Sequence, residues 1–219
     1  MVVVDPRTVA RTERLLLRPL KLEDAEDVVL MRKHPEVMKH TSILPSDDLE
    51  KTRQWIQGCH DRENCWNFVI ELLPSTKARR ESAQPAANHG KTHASSTERS
   101  REQPKPRVIG LIGAVRAPEV GYMLNADYWG KGYATEAMRA FMPLFFDHFS
   151  GGDYEKYDFA EAHTDPELES SQRVLMKVGF ELYEKRSRDF ENPILGWRDT
   201  LVFRMARPNS QAVDKSKAI

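Results

Sequence analysis

Val120-Gly121-Tyr122-Met123-Leu124-Asn125-Ala126-Asp127-Tyr128-Trp129-Gly130-Lys131-Gly132-Tyr133-Ala134-Thr135-Glu136-Ala137 is the stretch that decides the fold. A strand-like segment, Glu119 to Leu124, runs into a short turn holding Gly130 and Gly132, where the backbone is free to approach a ligand closely. Helical spacing begins at once, at about Tyr133, and continues to Phe149. A helix starting there aims its unpaired N–H groups and positive dipole end back at the turn, which makes a cradle for a pyrophosphate. Gly-x-Gly by itself is a weak signal, because any helix start with two turn glycines has it. The stretch also lacks both the dinucleotide fingerprint and a P-loop Gly-Lys-Ser/Thr. Trp129 and Tyr133 read as hydrophobic support beneath the turn.

Outward from this stretch, strand and helix patterns alternate. Thr12 to Leu20 is β-rich; Asp24 to Lys39 and Asp47 to Arg62 carry helical spacing, the second capped by Ser46 or Asp47 with Glu50 placed for a capping box. Strands are expected at Trp66 to Leu72, Arg107 to Val115, Tyr157 to His163, Phe180 to Lys185 and Asp199 to Met205, and a further helix at Glu167 to Val178. Pro74 to Pro106 breaks the pattern: it holds no Leu, Ile, Val, Phe, Tyr or Trp, and seven basic residues against three acidic ones. Such a segment cannot bury enough surface to offset its ordering entropy, so a disordered insertion over 74–106 is expected in place of a hairpin turn. The expected organisation is one domain over 8–208 with a flexible tail at 209–219.

The 219 residues are 40% hydrophobic and 30% charged, enough to enclose one core but short for two. Lys plus Arg and Asp plus Glu both number 33, so the basic excess of a nucleic-acid binder is missing. Apolar runs such as Phe68-Val69-Ile70 fall far below the roughly 18 residues of a membrane span. Cys59 and Cys65 lack the paired spacing of a zinc site and read as reduced thiols in a cytoplasmic protein, with no metal expected.

Three motifs, in order, resemble the GNAT superfamily of N-acetyltransferases, and within it the RimJ and RimL branch of ribosomal-protein N-terminal acetyltransferases. They are Thr12-Glu13-Arg14-Leu15-Leu16-Leu17-Arg18-Pro19-Leu20, the run from Gly121 to Ala137, and Ser171-Gln172-Arg173-Val174-Leu175-Met176-Lys177-Val178-Gly179-Phe180. The resemblance implies an α/β fold: a mixed, mostly antiparallel twisted sheet with splayed central parallel strands, flanked by about four helices. It implies acetyl-CoA as co-substrate, its pyrophosphate on the main chain of Trp129, Gly130, Lys131, Gly132, Tyr133 and Ala134, and its pantetheine arm adding like a strand to Met123 and Leu124. An N–H near Leu124 would polarise the thioester carbonyl.

The acceptor implied is a primary amine, on a protein N-terminus or a small molecule, and its proton needs a base. Glu119 is the first candidate, since alternation puts it on one face with Gly121 and Met123, although it also reads as an exposed strand-edge carboxylate. Asp189 and Glu191, in the polar loop expected before the last strand, are the second. Glu136 reads as support for the helix dipole and His163 as structural. The sequence departs from the family pattern at Asp127, where Gln or Arg is common, at Leu168, where Asn is common, and at Leu175, where many relatives carry a tyrosine acid. Protonation of the departing thiolate is left to Ser171, to water, or to nothing specific. Trp55, Trp66, Phe190 and Trp197 either line the acceptor side or pack. A non-catalytic acyl-CoA-binding module is the alternative reading.

Overall fold

The structure, a computed structural model, describes residues 7–74, 108–152 and 155–208. The expected insertion, apart from Pro74, and the expected tail lie outside the described residues. Among the described residues eight strands form one sheet in the order β1-β2-β3-β4-β5-β6-β8-β7. They are β1 (Ala10–Arg11), β2 (Leu15–Pro19), β3 (Trp66–Leu72), β4 (Val108–Arg116), β5 (Glu119–Leu124), β6 (Phe159–Thr164), β7 (Glu181–Asn192) and β8 (Gly196–Ala206). Every neighbouring pair is antiparallel except β5 and β6. β3 and β4 pair up to Glu71 opposite Val108, so the ends that flank the compositional break are neighbours, as the strand patterns require.

Among the described residues five α-helices cover the sheet: α1 (Ala25–Arg32), α2 (Pro35–Met38), α3 (Leu49–His60), α4 (Tyr133–His148) and α5 (Glu169–Val178). On one face Phe141, Phe145 and Met138 of α4 and Leu175 of α5 pack on Leu15, Leu17, Phe68, Ile70 and Ile112. On the other, Val28 and Met31 of α1 and Ile56 of α3 pack on Val69 and Leu111. Fully burying side chains of this size contributes roughly 1.5–3 kcal/mol each, so both layers hold the sheet.

Several local expectations are corrected. The helix read over Asp24 to Lys39 is two helices, because Pro35 forces His34 into an extended conformation (φ −81°, ψ 116°) and opens a new helix. The cap of α3 is Asp48, whose carboxylate accepts from the Lys51 N–H at 3.0 Å, whereas Ser46 accepts from the Asp48 N–H. The polar loop expected before the last strand is a long hairpin, with β7 reaching Asn192 opposite Gly196, so Asp189 and Glu191 lie on a strand. β7 is the sheet's outer strand and almost wholly exposed, so its residues carry no apolar alternation to read.

Candidate active site

β5 and β6 pair only at Glu119 and Glu161, where the Glu161 N–H donates to the Pro118 carbonyl at 2.9 Å; beyond this point the strands part. On its other edge β5 stays paired with β4 as far as the Asn125 N–H, which donates to the Ile109 carbonyl at 2.9 Å. Alternation along a strand then turns the main-chain groups of Val120, Tyr122 and Leu124 toward β6. The Leu124 carbonyl accepts from the Trp129 indole N–H at 2.9 Å, and its N–H points the same way. Trp129, half exposed, is therefore a polar anchor for the strand end rather than the hydrophobic support expected. Met123 turns its main-chain groups to β4, which leaves main-chain pairing along the open edge to Tyr122 and Leu124.

The turn follows. Asn125 accepts from the Asp127 N–H at 3.1 Å, and Lys131 Nζ donates to the Asp127 carbonyl at 2.7 Å. Gly130 (φ 71°) and Gly132 (φ 79°) both adopt the left-handed conformation, and Gly132 is the N-cap of α4. A Cβ at Gly130 would meet nothing within 4 Å, and one at Gly132 only Arg14 Nη2 at 3.6 Å, so the space above the turn is open. Glu136 does more than face the dipole: it accepts from Thr12 Oγ1 at 2.6 Å and Arg14 Nε at 2.7 Å, tying α4 to the start of β2. Burial opposes its charge, but these hydrogen bonds hold its carboxyl below the usual range.

A cleft of about 540 Å³ fills the gap between the parted strands. Its walls include Tyr122, Met123, Leu124, Trp129, Gly130, Gly132, Tyr133, Ala134 and Ser171, together with His40, His163, Thr164 and Asp165. Thr164 Oγ1 is buried without a hydrogen-bond partner, an orphaned polar atom in the wall opposite β5. On the outer side of Gly132 a second, open hollow of about 570 Å³ carries Arg14, Arg139 and Lys177. Parted parallel strands, a glycine turn with open space and a helix N-terminus fit a long phosphorylated thioester.

The family model described as an acetyltransferase (GNAT) domain matches residues 14–181. The chain belongs to the GNAT acetyltransferases. It is an acetyl-CoA-dependent N-acetyltransferase. An uncharacterized N-acetyltransferase, p20, from Bacillus licheniformis is 28% identical over 186 residues, 82% of this chain and 85% of that one. The ribosomal-protein-S5-alanine acetyltransferase from Vibrio fischeri superposes with a TM-score of 0.65 at 17% identity, covering 94% of this chain and 100% of that one. The spermidine N-acetyltransferase from Vibrio cholerae, solved with CoA and spermine, gives 0.64 at 13% identity over 89% and 96%. At these identities the solved structures are alike in fold.

In this acetyltransferase the candidate base, Glu119, stands where β5 and β6 close. Arg116 holds its Oε2 through Nη2 at 2.8 Å and Nε at 3.2 Å, and its Oε1 lies 3.6 Å from His163 Nδ1. His163 Nε2 lies 2.7 Å from Glu161 Oε1, and Arg204 Nε donates to Glu161 Oε2 at 2.7 Å. Burial opposes ionisation of Glu161, but His163 and Arg204 hold its carboxyl below the usual range. Glu119 is not itself in the cleft wall; His163 is, and it connects the two. The alternative bases, Asp189 and Glu191, lie on the outer strand, and neither lines the cleft.

Lys131 contributes main chain to the turn while its side chain folds back on Asp127, outside the wall. Trp66 is core, stacked on His148 at 4.1 Å, so it does not line an acceptor site; Trp55 packs with the α1 and α3 layer. Tyr122, His40 and Thr164 were not singled out from sequence. Tyr122 carried the one available signal, its place two residues before Leu124 on the glycine-flanked strand.

Proposed function

We propose that this acetyltransferase moves the acetyl group from acetyl-CoA to a primary amine by direct attack, with both substrates in the cleft together. The observation that carries this reading is the parting of β5 from β6 beyond their single pairing point at Glu119 and Glu161, with the Gly130/Gly132 turn following the far, open end of β5. A pantetheine arm lying along the open edge of β5 replaces the missing strand, and the N–H of Leu124 faces the thioester carbonyl as charge develops there. The main chain from Trp129 to Ala134 and the N-terminus of α4 take the pyrophosphate, with Arg139 and Lys177 offering positive charge to the nucleotide end.

Glu119 is the base. Arg116 keeps its Oε2 occupied, so Oε1, on the His163 side, is the oxygen that accepts the amine's proton across a bridging water. Ser171 faces the departing sulfur. We place the acceptor among protein N-terminal amines, in the RimJ and RimL manner, on the three motifs and the likeness to the Vibrio fischeri enzyme; a small amine of the spermidine type is the competing acceptor. Two buried free thiols, Cys59 and Cys65, suit a cytoplasmic setting. Release of CoA thiol with a panel of short peptides and polyamines tests the reading. Faster release with free peptide N-termini than with polyamines is expected, and the reverse order overturns the acceptor class.

A further inference from the structure

Tyr122 and Ser171 meet across the floor of the cleft, their hydroxyls 3.1 Å apart. Ser171 sits in the first turn of α5 and Tyr122 on β5, turned to the helix that crosses that face. Both line the cleft. Leu175, one turn further along α5, is buried in the core and has no acidic proton to donate, so the phenol at this end of the cleft comes from the strand. We propose that Tyr122 is a positioning residue for acetyl transfer: its O–H donates to Ser171 Oγ and so leaves the Ser171 O–H free to turn into the cleft, toward the sulfur that departs. The proposal rests on the transfer reading above and assigns the strand tyrosine a part in it.

The direction of the hydrogen bond follows from chemistry. A phenol is a stronger donor than an aliphatic alcohol, and a serine hydroxyl has one proton to give and two lone pairs to accept with. With Tyr122 donating, the Ser171 oxygen is satisfied from behind. Its own proton then has nowhere better to point than the ligand, and two hydroxyls in series polarise one another. Burial pushes the Tyr122 phenol above its ordinary value, against the small opposing effect of Ser171, so Tyr122 keeps its proton throughout. The step balances without a relay. The amine nitrogen bonds to the thioester carbonyl carbon through its lone pair, the C–S bond breaks with its electron pair going to sulfur, the Ser171 O–H holds the thiolate by a hydrogen bond, and the thiolate takes its proton from solvent while the amine's proton goes to Glu119.

The test is a double-mutant cycle on the full chain, read as steady release of CoA thiol with a saturating acceptor amine. Tyr122→Phe keeps the ring and its packing and removes the hydroxyl; Ser171→Ala removes the group it serves. Each single variant is expected to lower kcat about tenfold, the size of one well-placed hydrogen bond, with the KM for acetyl-CoA within about twofold of the unsubstituted protein. Tyr122→Phe should then add nothing in the Ser171→Ala background. Equal losses in both backgrounds, a rise in KM with kcat unchanged, or normal turnover in either single variant overturns the proposal while the transfer reading stands. Absence of acceptor-dependent release from the unsubstituted protein overturns both.

Discussion

Two positions, Gly132 and Glu119, test the proposed site. Gly132 holds a left-handed φ at the helix start with open space where a side chain would be, so Gly132→Val puts a branched group where the pyrophosphate is expected. The left-handed backbone costs a non-glycine residue roughly 1–2 kcal/mol, which lowers stability without dismantling the sheet. Calorimetry should show acetyl-CoA binding lost in this variant, and unchanged affinity would remove the cradle from the turn. Glu119→Gln keeps the shape and the Arg116 contact but cannot take a proton. Turnover should fall about a hundredfold or more with little change in acetyl-CoA affinity. The loss should shrink as pH rises, because more of the amine is then already neutral; a loss that is flat with pH would reassign the base.

At the level of elements, the ends of the strands around the cleft are pinned by Asp165, just past β6. Its carboxylate accepts from Arg198 Nε at 2.8 Å and Nη2 at 3.0 Å and from the Glu167 N–H at 2.8 Å, and lies 3.4 Å from His40 Nδ1. Desolvation opposes its charge, but Arg198 and the others bring its pKa down to about 2 from 3.8. A depressed carboxyl pKa stabilises the fold fully above the unfolded value and loses that contribution as pH falls through the folded one. Asp165→Asn should therefore lower the thermal midpoint at neutral pH, with the gap to the unsubstituted protein closing between about pH 4 and pH 2. A gap that persists at pH 2 would assign the loss to packing. Elements with a buried face were legible from sequence: β5, α4 and α5 fall within two residues of their expected limits because their apolar periods are complete. The continuation of β7 from Lys185 to Asn192 was not read because an exposed outer strand needs no such period, and the α1/α2 break because helical spacing alone did not weigh Pro35. Of the site, the glycine turn was legible as a local motif. The Tyr122–Ser171 and Glu119–His163 pairs were not, since each joins residues more than forty apart.

Over the whole molecule the sheet is parted near its middle and survives because each half is held separately. α4 packs on β2 and β4 to one side of the gap, and β8 pairs with β6 and β7 on the other. Asn192 then ties the β7–β8 hairpin to the wall formed after α2, donating to the Lys39 and Thr41 carbonyls at 2.9 Å each. The cleft thus draws on residues from Glu36 to Lys177. No helix among the described residues is long and apolar enough to cross a membrane. In the proposed mechanism the acetyl group passes directly between substrates held together in this cleft. Its most direct test is the initial rate of CoA-thiol release with acetyl-CoA and a primary amine both varied. Intersecting double-reciprocal lines, with release dependent on the amine, are predicted. Parallel lines with an acetylated protein intermediate, or tight acetyl-CoA binding with no amine-dependent release, would contradict it.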